Sequence, residues 1–114
     1  MREALVEKDG VNYARARGWE VYKFTSPGSV GRHDRLHFKN SLSFTIEYKA
    51  AGKKASPQQR DEAKRLKSVH IPCRCCDTPQ KARAFIDAMT EIADRKDPLF
   101  DVLMLCSDIS SFGP

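Results

Sequence analysis

The sequence has no run of 18 apolar residues, so no segment reads as a membrane-spanning helix. Its opening, Met1-Arg2-Glu3, is charged and polar, unlike a secretion signal. A cytoplasmic protein is the expectation. No internal repeat and no low-complexity tract occurs, which sets aside solenoids and disordered linkers. Cysteine is scarce: Cys73, Cys75, Cys76 and Cys106 are the whole set. Without a secretion signal they are expected as reduced thiols. His70 beside Cys73, Cys75 and Cys76 invites a zinc reading. A structural zinc site needs two separated ligand pairs, however, and no second pair follows, so zinc is not expected.

What the chain does hold is enough for one core. Its 114 residues, 40% hydrophobic and 31% charged, suit a single globular domain over 1–114. The net charge of +5 favours a polyanionic partner. Positions 1–17 read as a helix in which Glu7, Val11 and Ala14 share a face. Glu7 is either a margin residue that reaches solvent or a carboxylate aimed at the sheet. Gly10 weakens the helix interior, and Gly18 is the expected C-cap. Trp19 to Phe24 alternates as a strand, with Trp19, Val21 and Lys23 on one face. Lys23 is either a phosphate contact or a strand-end lysine in water. Positions 25–32 form a Gly-, Ser- and Pro-rich loop whose spacing fits no phosphate cradle and which serves to aim Asp34.

A hairpin follows, with strands near 34–38 and 42–49 turning at Asn40-Ser41. Opposed residues then have numbers summing to 81, and Asp34 and Glu47 satisfy that sum. Such cross-strand neighbours hold their Cβ atoms roughly 4.5–5.5 Å apart. The strand period of two adds Lys49 to the same face. Two carboxylates that close repel unless a cation lies between them, and a hard divalent ion suits carboxylate oxygens. The plain structural alternative is a salt-bridge ladder on a solvated face. Leu42, Phe44, Ile46 and Tyr48 form the opposite, core-facing side.

Positions 50–55 are a basic loop. Ser56-Pro57-Gln58-Gln59 then starts a helix with Ser at N-cap, Pro at N1 and Gln at N3. Gln59, Ala63 and Leu66 are its core stripe. Gln59 has two readings: a capping-box residue bonded back to Ser56, or a group reaching the acidic site. Seven basic residues fall between 49 and 67, including Lys49, Lys53, Lys54, Arg60 and Lys64, against Asp61 and Glu62. They form the candidate nucleic-acid footprint, or else an ordinary solvated helix face. Positions 71–76 read as a short strand in which Pro72 marks an edge or strand-start position, and Asp77-Thr78-Pro79 caps a helix to about Asp94. The apolar stretch 99–106 is open between an edge strand, a helix-end wrap and a dimer contact. Positions 107–114 read as a loose tail.

Asp34 followed by Glu47-Tyr48-Lys49 resembles the acidic-x-Lys signature of the PD-(D/E)xK nuclease superfamily. Lys23-Phe24-Thr25-Ser26-Pro27-Gly28, Gly31 three residues before Asp34, Gly52-Lys53 and Ser56-Pro57-x-Gln59 occur in the order and spacing of the VRR-NUC family. The resemblance runs from about Glu7 to Phe85 and leaves a C-terminal extension from about 95. His33 stands where the family usually has Pro.

The resemblance implies a restriction-endonuclease-like α/β sandwich: a mixed central sheet flanked by helices. It implies a stand-alone, phage-type DNA endonuclease dependent on Mg²⁺ or Mn²⁺ and probing DNA structure, as Holliday-junction resolvases do. In that pattern Asp34, Glu47 and the Tyr48 carbonyl ligate metal, and Glu7 holds a second metal or a water. Lys49 activates the attacking water and Gln59 orients it. Lys23, Lys53, Lys54, Arg60 and Lys64 contact DNA. Symmetric cutting of branched DNA implies a homodimer. The alternative is an inactive nucleic-acid-binding module on the same fold.

Overall fold

Asn40 and Ser41 both take left-handed backbone angles, φ 51° and 67°, as the mirror-image turn of a tight hairpin requires. That turn sets the register. Arg35 lies opposite Ile46, Leu36 opposite Thr45, and Phe38 opposite Ser43, the expected sum-81 pairing. The computed structural model describes residues 1–23, 35–95 and 104–113. Asp34, His33, the 25–32 loop, Phe24 and positions 99–103 lie outside them.

The described elements are α1 (Glu3–Ala16), β1 (Glu20–Lys23), β2 (Arg35–Lys39), β3 (Leu42–Tyr48), α2 (Pro57–Ser68), β4 (Cys73–Cys76), α3 (Pro79–Ala93) and a 3₁₀ turn (Ser110–Phe112). Four strands form one mixed sheet in the order β1-β2-β3-β4. The first three run antiparallel, and β4 joins β3 in parallel. A parallel pair needs a crossover, and α2 supplies it. Pro72 stands at the start of β4, where its carbonyl accepts the Thr45 N–H at 3.1 Å.

Alternation sends Val21, His37, Phe44, Ile46 and Tyr48 to one face, where α1 and α3 cover them. Val6, Val11, Ala14, Phe85, Ile86 and Met89 complete that core. Phe44 is its centre. Trp19 meets it edge-on at 4.7 Å and Phe85 at 5.1 Å, and the His37 ring stacks on it at 4.1 Å. The Trp19 indole N–H donates to Thr90 Oγ1 at 2.8 Å. Asn40 Nδ2 donates to the Ala93 carbonyl at 2.9 Å and ties the hairpin tip to the end of α3.

The other face departs from expectation. The side carrying Thr45 and Glu47 reads from sequence as the polar face, with a solvated ladder as its plain alternative, yet β3 is buried on both faces from Phe44 to Tyr48. Ala63 of α2 and Phe112 of the 3₁₀ turn close over Cys73 and Cys75 in a second apolar cluster. The supposed loose tail is therefore docked. Ser111 Oγ accepts the Cys75 N–H at 3.1 Å, and the Arg74 guanidinium donates to the carbonyls of Leu105 and Asp108. Among the described residues β4 is a sheet edge, and the bond to Ser111 occupies its Cys75 N–H, a group that would otherwise invite pairing with another chain. Glu62, counted from sequence among the solvated charges, is buried on α2 and paired with Arg65 at 2.8 Å. The outer face of the β1–β2 half carries Tyr22 and Phe38, both exposed and in mutual ring contact.

Gly10 is explained by packing. A Cβ there would overlap the Tyr48 hydroxyl and ring, so glycine is what lets α1 approach β3. Among the described residues the buried Tyr48 hydroxyl meets no hydrogen-bond partner, and neither does His37 Nε2. Gly10→Ala is expected to destabilise the protein by about 1–3 kcal/mol through overpacking, against a helix-propensity gain of about 1 kcal/mol. Tyr48→Phe is expected to be neutral or stabilising and to recover part of that loss in the double variant. Denaturant midpoints of the four proteins check this.

His37 sets an acid limit. Burial pushes its pKa down from 6.5 to about 3. Between those values the unfolded chain binds a proton that the folded chain refuses. The stability is therefore full above pH 6.5 and is lost as pH falls toward 3. Wild type should lose roughly 1.4 kcal/mol more per pH unit below 6.5 than His37→Gln, read as the pH dependence of thermal unfolding.

Candidate functional site

A carboxylate on a sheet face covered by a helix must find donors, because an unpaired buried charge is costly. Glu47 is 2% exposed. Gln59 Nε2 donates to its Oε1 at 2.8 Å, and Lys49 Nζ stands 3.5 Å from the same oxygen. The two readings of Gln59 turn out to be one arrangement. Its Oε1 accepts the Ser56 N–H at 2.8 Å, while Ser56 Oγ accepts the Gln59 N–H at 3.2 Å, closing the capping box. A backbone N–H can only donate, so it fixes the amide oxygen toward Ser56 and turns the NH₂ group to Glu47. The cap that starts α2 thus also aims a donor at the buried acid.

The other expected site residues are distributed as follows. Lys49 lies just past β3, its side chain mostly covered beside Glu47. Asp34 lies outside the described residues. Glu7 is not brought to Glu47. It sits on α1, which covers the opposite face of the sheet, and its Oε2 is 3.3 Å from Arg35 Nε. Lys23 is exposed at the end of β1, opposite Arg35 and hence on that same far side. Lys53, Lys54 and Arg60 line one cleft, whereas Lys64 is exposed on α2 and does not line it. Tyr48 sends its ring into the α1-facing core, and burial raises its hydroxyl pKa.

From sequence Asp77 reads only as part of the cap of the last helix, and Lys81 is not singled out. Asp77 Oδ2 accepts the Gly52 N–H at 3.0 Å, and its Oδ1 pairs with Lys81 Nζ at 2.7 Å. Hydrogen bonding to Lys81 holds the Asp77 carboxyl below its usual pKa. The only sequence signal was the four-residue spacing of 77 and 81 at a helix start. Glu62, about one turn after Gln59, reads from sequence only as a counter-charge to the basic segment. The cysteines are buried, and burial pushes the thiols of Cys73 and Cys76 up to about 12 and that of Cys75 to about 11. They are neutral thiols at physiological pH and poor nucleophiles. Among the described residues no group of three or more His, Cys, Asp or Glu side chains could hold a metal ion. No helix among them is long and apolar enough to cross a membrane.

Comparison with known proteins adds one finding. No family model matches the chain. It is 42% identical over 67 residues to "Putative nuclease p44" of Acyrthosiphon pisum secondary endosymbiont phage 1. The match covers 58% of this chain and 72% of that protein. The chain belongs to the family of this phage protein. Among the described residues, Gln59 and Lys49 both meet the same oxygen of the buried Glu47 carboxylate.

Replacing Gln59 separates its two bonds. Gln59→Ala removes both and should cost about 1–3 kcal/mol by leaving a buried acid short of a donor. Gln59→Glu can still accept from Ser56 but sets a second carboxylate against Glu47. It should be the more destabilising variant at pH 7, with the difference shrinking toward pH 4 as one acid of the pair takes up a proton. Urea titrations at the two pH values check the order.

Proposed function

We propose that this protein is a metal-dependent DNA endonuclease of the VRR-NUC type, built on a restriction-endonuclease-like sandwich. The observation that carries the reading is the buried Glu47 carboxylate held between Gln59 at 2.8 Å and Lys49 at 3.5 Å. The nuclease name of the phage relative supports it.

The donor chemistry fits a hard divalent cation. Glu47 offers a buried carboxylate and Tyr48 a neighbouring backbone carbonyl, both oxygen donors of the kind Mg²⁺ and Mn²⁺ take. The buried, neutral thiols do not suit zinc. Asp34 is the second carboxylate in this reading, since it is the next pair of the sum-81 register. A divalent cation bound there supplies charge against the phosphate and makes water a stronger acid.

The protein's own groups then divide the work. Lys49 brings its ammonium to the carboxylate, where it orients the attacking water and stabilises charge growing on the phosphate. Gln59 holds Glu47 in one orientation from a capped, rigid helix start. Glu7 acts from the far side of the sheet, bonded to Arg35 next to Asp34 in sequence, and holds a water or second ion at the sheet's end. Lys53, Lys54 and Arg60 offer positive charge to the nucleic-acid backbone, with Lys64 and Lys23 as outlying contacts. One small domain leaves little surface for reading bases, which favours recognition of DNA shape. A homodimer would cut the two strands of a branched substrate symmetrically.

The test is cleavage of labelled four-way junction, flap, single-stranded and linear duplex DNA with Mg²⁺, Mn²⁺ or EDTA. Metal-dependent cleavage is expected, with branched DNA preferred. Glu47→Ala and Lys49→Ala should each lose on the order of 10²–10⁴-fold in rate while still binding DNA. Unchanged turnover in Lys49→Ala would refute its role. Binding without cleavage under any metal would make the protein an inactive binding module.

A further inference from the structure

A cleft of about 560 Å³ opens beside Glu47, between the 50–55 loop, the start of α3 and the docked C-terminal turn. It is one strand away. Cys75, in its wall, is the register partner of Glu47 on β4, and neighbouring strands lie about 4.8 Å apart. Among the described residues four cations line it, Lys53, Lys54, Arg60 and Lys81, against the single carboxylate of Asp77. Its walls are fixed by bonds from several parts of the chain. Asp77 ties the loop to α3 through Gly52 and Lys81. Arg60 Nη1 donates to the Ala55 carbonyl at 3.0 Å, which orients its guanidinium. On the remaining side, Phe112 is buried in the second apolar cluster, and Ser111 Oγ takes the Cys75 N–H. The wall formed by positions 110–113 comes from the extension beyond the resemblance.

We propose that this cleft is a phosphate subsite for the nucleic-acid backbone, holding a phosphate that flanks the scissile one, and that Lys81 and the docked C-terminal turn are parts of it. The proposal rests on the nuclease reading and deepens it. Two basic loop residues alone would make a solvated patch. The cleft differs because it is concave, its cations come from three separate segments, and its far wall exists only because the tail is bonded to β4. Asp77 lowers the net charge to a level that leaves the cations placed yet in excess. Free phosphate and a backbone phosphate share this chemistry, so the test must separate them.

The experiment measures affinity of the full chain for a labelled DNA duplex, in EDTA so that nothing is cut, across a salt series. The variants are Lys81→Ala, Lys81→Arg, Ser111→Asp and, as a comparison at an exposed lysine that does not line the cleft, Lys8→Ala. In duplex binding the slope of log affinity against log salt falls by about 0.9 for each phosphate that the protein no longer neutralises. Lys81→Ala is expected to show that fall and Lys81→Arg to restore it. Ser111→Asp keeps an acceptor for the Cys75 N–H but adds an anion to the cleft, so it should weaken binding more than Lys81→Ala. Lys8→Ala should match wild type. If wild type binds DNA and the cleft variants all behave like Lys8→Ala, the subsite is overturned while the nuclease reading stands. If inorganic phosphate raises the melting temperature through Lys81 and duplex DNA does not compete with it, the cleft is a small-anion site and the proposal fails. If wild type binds no nucleic acid at all, both readings fall.

Discussion

A buried carboxylate has to be paired, and the pairing of Glu47 governs how this protein is assembled around β3. The acid lies on a strand covered on both faces. Its main donor, Gln59, belongs to the first turn of the crossover helix. That turn is held by Ser56 and started by Pro57, so the geometry of the acid depends on a helix cap about a dozen residues further along the chain. If the cap loosened, Glu47 would lose the Gln59 donor, and α2 would lose its angle over β3 and β4.

The two faces of the sheet have different duties. The α1–α3 face is a dry aromatic and aliphatic core around Phe44. It tolerates a histidine only by keeping it neutral and a tyrosine only by giving up a helical side chain at Gly10. The α2 face is thinner and mixes small apolar residues with Glu47 and Glu62. On the second face charge is already paired, and a basic cleft adjoins it. The docked tail serves both purposes, shielding the β4 edge through Arg74 and Cys75 and walling the cleft.

Charge is arranged locally even though the chain is only modestly basic. Some cations are consumed by structure: Arg65 by Glu62, Arg35 by Glu7 and Arg83 by Asp9. Those that remain concentrated on one side, Lys53, Lys54 and Arg60, flank the Glu47 site. Net charge alone would not have distinguished this from an evenly spread surface.

The order of the elements, the hairpin register and the capping box of α2 were legible in the sequence. Each is set by neighbours within a few residues: Asn40-Ser41 fixes its own turn, and Ser56, Pro57 and Gln59 fix their own cap. The pairing of Gln59 with Glu47 needed the fold, because a crossover helix can lie over its strands at many angles. The same holds for the burial of Glu62, the placing of Glu7 across the sheet, the neutral His37 and the docked tail. Each depends on contacts between segments far apart in the chain, whose cost in chain entropy is met only when the whole core forms. Local chemistry therefore determined which residues could act, and tertiary packing alone decided which of them meet.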